Sequence, residues 1–397
     1  MTVRVSKPAF NLREKLSELD KPSGIKGNEL MRSETTQEAR DFISAGRKNL
    51  IINGAMQHAQ RGTSTTTLGY LIDRFLTGGA NINVPTYAQV DVASGTEPYA
   101  AGFRKAAKIT GGDNAVHNND VLKFNQGIEA QNLATSGWDY KSGASFITLS
   151  FWVKSSVGQT FFGRLQTIDG TDQNYAFSYD VSADTWTKVV KTIPGNSNIT
   201  IDNNTGEGLD IEWTLFRGID TTASTTVVNK WQSYHAGARL PDGVPSTWHD
   251  TNGATWEITG VQLEVGKNAT EFEHRSFAEE LALCYRYFVK MYGSTGGLST
   301  GDGAIATLAN WTSTAAYGPI FMPVEMRIPP SLEDFSNLVY YSSGQTFTPG
   351  GNDVAFSGAA TNRIEIRINS MTNMTDGDAG WLRVASSAGY ISFNSEL

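Results

Sequence analysis

Along most of the chain, hydrophobic residues return at every second position, and the polar residues between them mark the opposite face of the same segment. Leu209, Ile211, Trp213 and Leu215 fall on one side of such a segment, with Asp210, Glu212 and Thr214 on the other. This is the pattern of a half-buried antiparallel strand. In 146–153 the inward row is Ile147, Leu149, Phe151 and Val153, which leaves Trp152 pointing the other way, and 186–193 alternates more weakly. The phase slips once. In 256–265, Trp256 and Ile258 share one parity, whereas Val261, Leu263 and Val265 share the other. Gly260 stands at the slip and predicts a β-bulge. Strands of this kind recur from Asn49 to about Ser276, separated by turn-rich stretches, and predict a mainly β chain built on a sandwich of two sheets.

The flanks read differently. Asn11 and Glu14 have the spacing of a capping box at a helix start, and Leu12, Leu16 and Leu19 then share one helical face before Pro22 and Gly24 end it. A second short helix, carrying Phe42, is predicted between Thr35 and Gly46. Helices this short are marginal alone in water. The segment 1–47 is therefore expected to be ordered by neighbouring copies or by a socket on another protein. At the other end, Ser276 and Glu279 form a further capping box, with Phe277, Leu281 and Tyr285 on the apolar face of the helix it opens. Tyr287, Val289 and Met291 then alternate as a strand does, and 363–369 alternates without a fault. The stretch 321–330 reads as an edge strand interrupted by prolines. The expected organisation is a helical segment over 1–47, a β-sandwich over 48–276 and a second, smaller β domain over 277–397.

Composition narrows the function classes. Only 18% of residues are charged and glycines number 40, which suits short strands joined by turns. A net charge of −8 argues against a nucleic-acid-binding face, which needs clustered Lys and Arg. Cys284 is the only cysteine, so no disulfide forms within one chain. Met1 to Asp20 lacks the apolar core of a secretion signal, and no stretch approaches the length of a membrane span. Folding in a reducing cytoplasm, with no membrane insertion, is the expectation.

A catalytic set is hard to assemble. His58, His117, His235, His249 and His274 include no pair at metalloprotease spacing, and neither a Gly-x-Ser-x-Gly elbow nor a phosphate-binding loop is present. Glu212 and Glu257 could imitate a glycosidase pair, but each lies on the polar side of an alternating strand, where a solvated carboxylate is expected. No enzyme activity, metal or other cofactor is predicted. Sugar binding asks for flat aromatic faces beside amides or carboxylates. The long stretch 228–253, rich in Gly and Pro, supplies Trp231, Tyr234, His235, Trp248 and Asp250, and Trp152 adds a ring on the outward face of its strand. The competing reading is that these rings close the end of the sandwich or pack on a neighbouring subunit. The turn at 111–120 could offer oxygen ligands to calcium, although Asn and Asp are also ordinary turn residues.

Two phrases carry a family resemblance. The first is Asn49 to Met56, running on to Gln60-Arg-Gly-Thr63 and Leu71-Ile-Asp-Arg-Phe75. The second is Ile258 to Gly266, followed by Ala269 to Arg275 and Glu279 to Phe288. Together they resemble the opening and closing strands of a carbohydrate-binding-module-like jelly roll found in bacteriophage tail fibre proteins, particularly those of phages of cyanobacteria and other aquatic bacteria. His58 and Tyr285 depart from the pattern without disturbing its glycines or strands. The resemblance implies a jelly-roll sandwich in a homotrimeric receptor-binding protein of the virion. It also implies docking on tail, baseplate or adaptor proteins through the N-terminus, with host polysaccharide or lipopolysaccharide as the outward partner. A neck fibre, a capsid decoration and a glycan-cleaving tailspike are the alternatives.

Overall fold

In the computed structural model, residues 32, 49–111, 115–292, 303–385 and 389–397 are described. The anchoring residues expected at Leu12, Leu16, Leu19 and Phe42 lie outside them, as do 112–114 of the turn weighed for calcium. Asn49–Leu397 forms one compact unit.

Its first part contains, in chain order, β1 (Ser64–Thr65), β2 (Gly69–Tyr70), β3 (Leu76–Ala80), β4 (Thr86–Asp91), β5 (Lys105–Gly111), β6 (Val121–Glu129), β7 (Phe146–Ser155), β8 (Gln159–Thr167), β9 (Gln173–Val181), β10 (Thr187–Pro194), β11 (Glu207–Arg217), β12 (Trp231–Ser233) and β13 (Ala254–Val265). Short helices α1 (Glu97–Ala100), α2 (Ala130–Ala134) and α3 (Thr247–Asp250) interrupt them. The strands make two antiparallel sheets, one ordered β1-β4-β5-β13-β7-β10 and the other β12-β9-β8-β11-β6-β3-β2. Consecutive strands often cross between the sheets, giving the jelly-roll sandwich.

Strand parity sets the packing. Ile147, Leu149, Phe151 and Val153 of β7 face Leu209, Ile211, Trp213 and Leu215 of β11 in one core. The Phe151 and Trp213 rings meet edge to face at 5.6 Å. The bulge falls on the expected glycine: pairing of β13 with β7 shifts between Thr259 and Gln262, and Gly260 takes φ +64°. A Cβ there would stand 2.6 Å from the Phe103 ring. The slip lets Trp256 and Ile258 reach the same core as Val261 and Leu263.

Three expectations fail in this part. Asn49 to Met56 form no strand; the segment lies buried and irregular, with the Leu50 N–H donating to the Leu263 carbonyl at 2.9 Å. Nor is β11 half-buried. Glu212 is fully buried and accepts from Arg164 Nε (2.9 Å), Arg217 Nε (3.0 Å) and Thr214 Oγ1 (2.7 Å). The strand is covered on its second face by the chain after β11, so its polar residues pair with one another instead of with water. Burial alone would raise the Glu212 pKa, but the two guanidiniums outweigh it and hold the carboxyl well below its usual range. Glu257 is also buried, with Lys154 at 3.1 Å.

The second part opens with α4 (Phe277–Tyr285), whose capping box forms as expected: the Ser276 Oγ accepts the Glu279 N–H, and the Glu279 carboxylate accepts the Ser276 N–H. The strands that follow are β14 (Phe288–Tyr292), β15 (Gly303–Thr312), β16 (Ala315–Phe321), β17 (Ser331–Ser336), β18 (Leu338–Ser342), β19 (Gln345–Phe347), β20 (Val354–Ala360), β21 (Arg363–Ile368), β22 (Ala379–Val384) and β23 (Tyr390–Asn394). A small sheet, β14-β23-β17, packs against a large one, β19-β18-β22-β15-β16-β21-β20. Their core holds Val289, Leu308, Ile320, Ile366, Leu382 and Phe393. The edge strand read at 321–330 is absent beyond Phe321. The prolines leave a loop there, and its Met322 and Met326 enter the core.

The two phrases of the family resemblance meet at the junction of these parts. Arg275 donates to the Asn49 carbonyl and to Glu273 and Glu280, while Glu280 accepts the Asn53 N–H. Gln60 bonds Asp73 twice, at 3.0 and 2.7 Å, and reaches the Phe288 carbonyl. Buried Arg74 pairs with Glu396 and lies 3.5 Å from the centroid of the Tyr287 ring, while Arg286 and Tyr287 both donate to Glu129. These residues tie the jelly roll to the second sandwich.

Candidate functional site

The aromatic stretch expected to bind sugar is dismantled by packing. Trp231 lies on the inward side of β12, tilted against Tyr175 at 5.2 Å, with its indole N–H on the Pro194 carbonyl at 2.7 Å. Trp248 is fully buried on α3, and its indole N–H donates to the Thr255 carbonyl at 3.0 Å. Neither ring keeps a face for a ligand. This corrects both assignments. Glycines and prolines around them signalled an open loop, but the rings supply the apolar area that fixes the loop to the sandwich. His249 is buried too, stacked on Phe216 at 4.3 Å and 3.3 Å from Asp120. Asp250 is exposed, yet it belongs to α3, which packs on β11 and β13 instead of β12.

Tyr234 and His235 do lie together after β12. The Tyr234 hydroxyl accepts from Arg239 Nε at 3.0 Å, and its ring lies over the buried Arg164. His235 is exposed and its Nδ1 accepts the Gly237 N–H at 3.1 Å. Beside it a polar cleft of about 330 Å³ is lined by Thr225, Gln232 and Ser233. Gln232 is already engaged, bonding the Val227 N–H and the Thr225 carbonyl, which leaves few free groups in the cleft. Trp152 is half-buried and, like Trp186 and Phe272, packs on the small cluster of Val92, Phe103 and Ala106 at the first sheet. Its ring is partly used, and the Lys188 ammonium stands 6.0 Å from its centroid.

Rings with an open face lie elsewhere, on the outward side of the large sheet of the second sandwich. Trp311 is 76% exposed, Trp381 54% and Tyr341 37%. Tyr341 and Trp381 are register partners on β18 and β22, with ring centroids 6.3 Å apart and planes 22° from parallel. Trp311 and Tyr317 form a second pair at 6.3 Å, edge to face. Trp311 is the extra residue where β15 and β16 shift register between Asn310 and Thr312. The bulge aims it outward, while Asn310 beneath it is held by Ser342 and Tyr340. Between the pairs the outward positions carry Thr307, Ala309 and Ala379, so the floor is level. Among the described residues no cluster of His, Cys, Asp or Glu could hold a metal ion.

Sequence reasoning missed this face. Alternation in β22 and β15 shows that one side is polar and one apolar, but Trp311 and Trp381 occupy positions that a pattern reader assigns to solvent. A tryptophan at an outward strand position, which had flagged Trp152, was the available signal.

No protein-family model matches this sequence, and no curated protein matches it. Among solved structures, it is similar to the enzymatically active domain of tailspike protein 4 of bacteriophage CBA120, at 12% identity over 55% of this chain, with a TM-score of 0.29. The similarity covers 21% of that tailspike chain. A family 11 carbohydrate-binding module from the cellulosomal cellulase Lic26A-Cel5E of Clostridium thermocellum is 10% identical over 54% of this chain and 98% of its own, with a TM-score of 0.26. A CBM4 structure is 16% identical over 48% of this chain and 78% of its own, with a TM-score of 0.24. The jelly-roll sandwich stands on the strand pairing itself.

Proposed function

We propose that this chain is a structural, non-enzymatic tail fibre protein of a bacteriophage, which touches a cell-surface glycan through the outward face of its second sandwich. The observation that carries the reading is the band of Trp311, Tyr317, Tyr341 and Trp381, open on a rigid sheet with small residues between the rings. Exposed aromatic rings on a fixed scaffold offer flat apolar area at little entropic cost, and they are what pyranose C–H faces stack upon. In this reading three copies assemble in the host cytoplasm, residues 1–47 attach them to tail or baseplate adaptor proteins, and the β domains point outward on the virion. The sequence features behind that arrangement are the amphipathic leader and the tail fibre resemblance.

The test is retention of the purified protein on host lipopolysaccharide and capsule fractions. Trp311→Ala and Trp381→Ala, both at exposed positions, should each weaken retention while leaving the melting temperature near wild type. Removing an anchor ring from a binding hot spot costs about 2 kcal/mol, or roughly thirtyfold in affinity. Undiminished retention of the double variant would end this reading.

A further inference from the structure

Resting on the glycan reading above, we infer that the aromatic face is built for an extended, negatively charged polysaccharide laid across several strands, not for a terminal sugar or a neutral polymer. Shape and charge support this separately.

The shape is that of a track. Tyr341 and Trp381 sit in one cross-strand row, and Tyr317 sits in the next, as shown by its register with Ala309 and, through Ala309, with Ala379. From Trp381 this is two strands across and two residues along, roughly 12 Å on the lattice of a β-sheet. A single pyranose cannot touch both ring pairs. Nor do the rings wall a concave site of the kind that encloses a terminal residue. The floor of Thr307, Ala309 and Ala379 leaves the path between them unobstructed.

The charge is of the opposite sign to that of the chain. Overall the sequence carries −8. At the outward strand positions of this sheet, however, the charged residues among those described are Arg363, Arg367, Arg383 and Glu365, three cations against one anion. Their side is fixed by register: Arg367 pairs with Tyr317, Arg363 with Phe321, and Arg383 follows Trp381 at the next same-face position. The Arg367 guanidinium lies 4.9 Å from the centroid of the Tyr317 ring, so a cation and a stacking surface are presented together. Planar guanidiniums pair carboxylates and phosphates with two parallel hydrogen bonds. Rings for the sugar faces and guanidiniums for acid substituents make a matched set for an acidic linear chain. A second copy of this protein is a poorer match, because like-charged faces meeting across an axis would repel.

Affinity electrophoresis in gels containing polygalacturonate, alginate or hyaluronate, each beside its carboxyl-esterified form, tests the inference with the full chain. At least one charged polymer should retard the protein, its ester should retard it at least tenfold more weakly, and added salt should release it. Arg363→Ala with Arg367→Ala should abolish the preference for the charged form and keep residual binding, whereas Trp381→Ala should weaken both. Equal retardation by charged and esterified forms, or an arginine double variant that behaves as wild type, overturns the charge assignment and leaves the glycan face standing. No retardation by any polymer, with Trp381→Ala instead reducing the mass found by light scattering, overturns both and makes the face a contact between copies.

Discussion

Trp248 illustrates how much a single ring contributes here. Its side chain is fully buried among Ala254, Trp256 and the other residues of the jelly-roll core, and α3 exists largely to carry it there. Truncating a buried tryptophan removes its transfer free energy and leaves a cavity, typically costing about 3–5 kcal/mol. Trp248→Ala should therefore lower the melting temperature sharply, and retention on glycan per folded molecule should not change. Asp73 gives a second test at this scale. Burial raises its pKa from 3.8 to about 6, against the opposing hydrogen bonds from Gln60. The folded protein then holds a proton at Asp73 more tightly than the unfolded chain does. Stability from this group is therefore full well below pH 3.8 and is lost as pH rises from there through 6. The difference corresponds to about 3 kcal/mol. Comparing denaturant unfolding of the wild type and Asp73→Asn from pH 3 to pH 7 should show the wild type losing about that much more over the interval. Parallel curves would show that Asp73 does not titrate there.

Among the elements, the bulge in β13 has the sharpest requirement. Gly260 combines φ +64° with the Phe103 ring 2.6 Å from where a Cβ would be, whereas Gly243, at φ +83°, has open space around it. Alanine at either position is strained by about 1–3 kcal/mol. Gly260→Ala should cost clearly more than Gly243→Ala, because the ring must also move; equal melting temperatures would mean that the core absorbs it. The bulge, the strand alternation and the capping box at Ser276 were legible in the sequence because each is a local rule about adjacent residues. Asn49 to Met56 was not. Its backbone is satisfied by side chains remote in sequence, the Ile52 N–H by Gln126 and the Asn53 N–H by Glu280, and no periodicity records that. The buried side of β11 escaped for a related reason: Asp210, Glu212 and Thr214 read as solvent-facing, and only the folded chain brings Arg164 to Asp210 and Glu212, and Arg217 to Glu212.

At the scale of the whole molecule, residues 49–397 hold two sandwiches through a polar junction of Arg74, Glu129, Arg286 and Glu396. A truncation starting at Lys48 should keep this junction and its cooperative unfolding, and should bind glycan as the full chain does, while failing to enter particles if residues 1–47 are the anchor. Normal incorporation would sink that role. The candidate site was the least legible part, since strand parity tells which residues share a side but not which side another layer will cover. Glu212 and Trp381 both stand on the side of an alternating strand that the pattern assigns to solvent, yet one is fully buried and the other open.

That same parity separates two kinds of selection. In β15, β16, β21 and β22 the residues that hold the sheet together, Leu308, Ile320, Ile366 and Leu382, interleave with outward residues that take no part in its core. Substitutions at outward positions away from the bulge are expected to change stability by no more than about 0.5 kcal/mol. The outward alphabet can therefore be rewritten one letter at a time while the fold pays almost nothing. A lineage facing a polymer that keeps changing would adapt by drifting along these positions, with no new loop or insertion, and related chains should vary most at every second residue of those four strands.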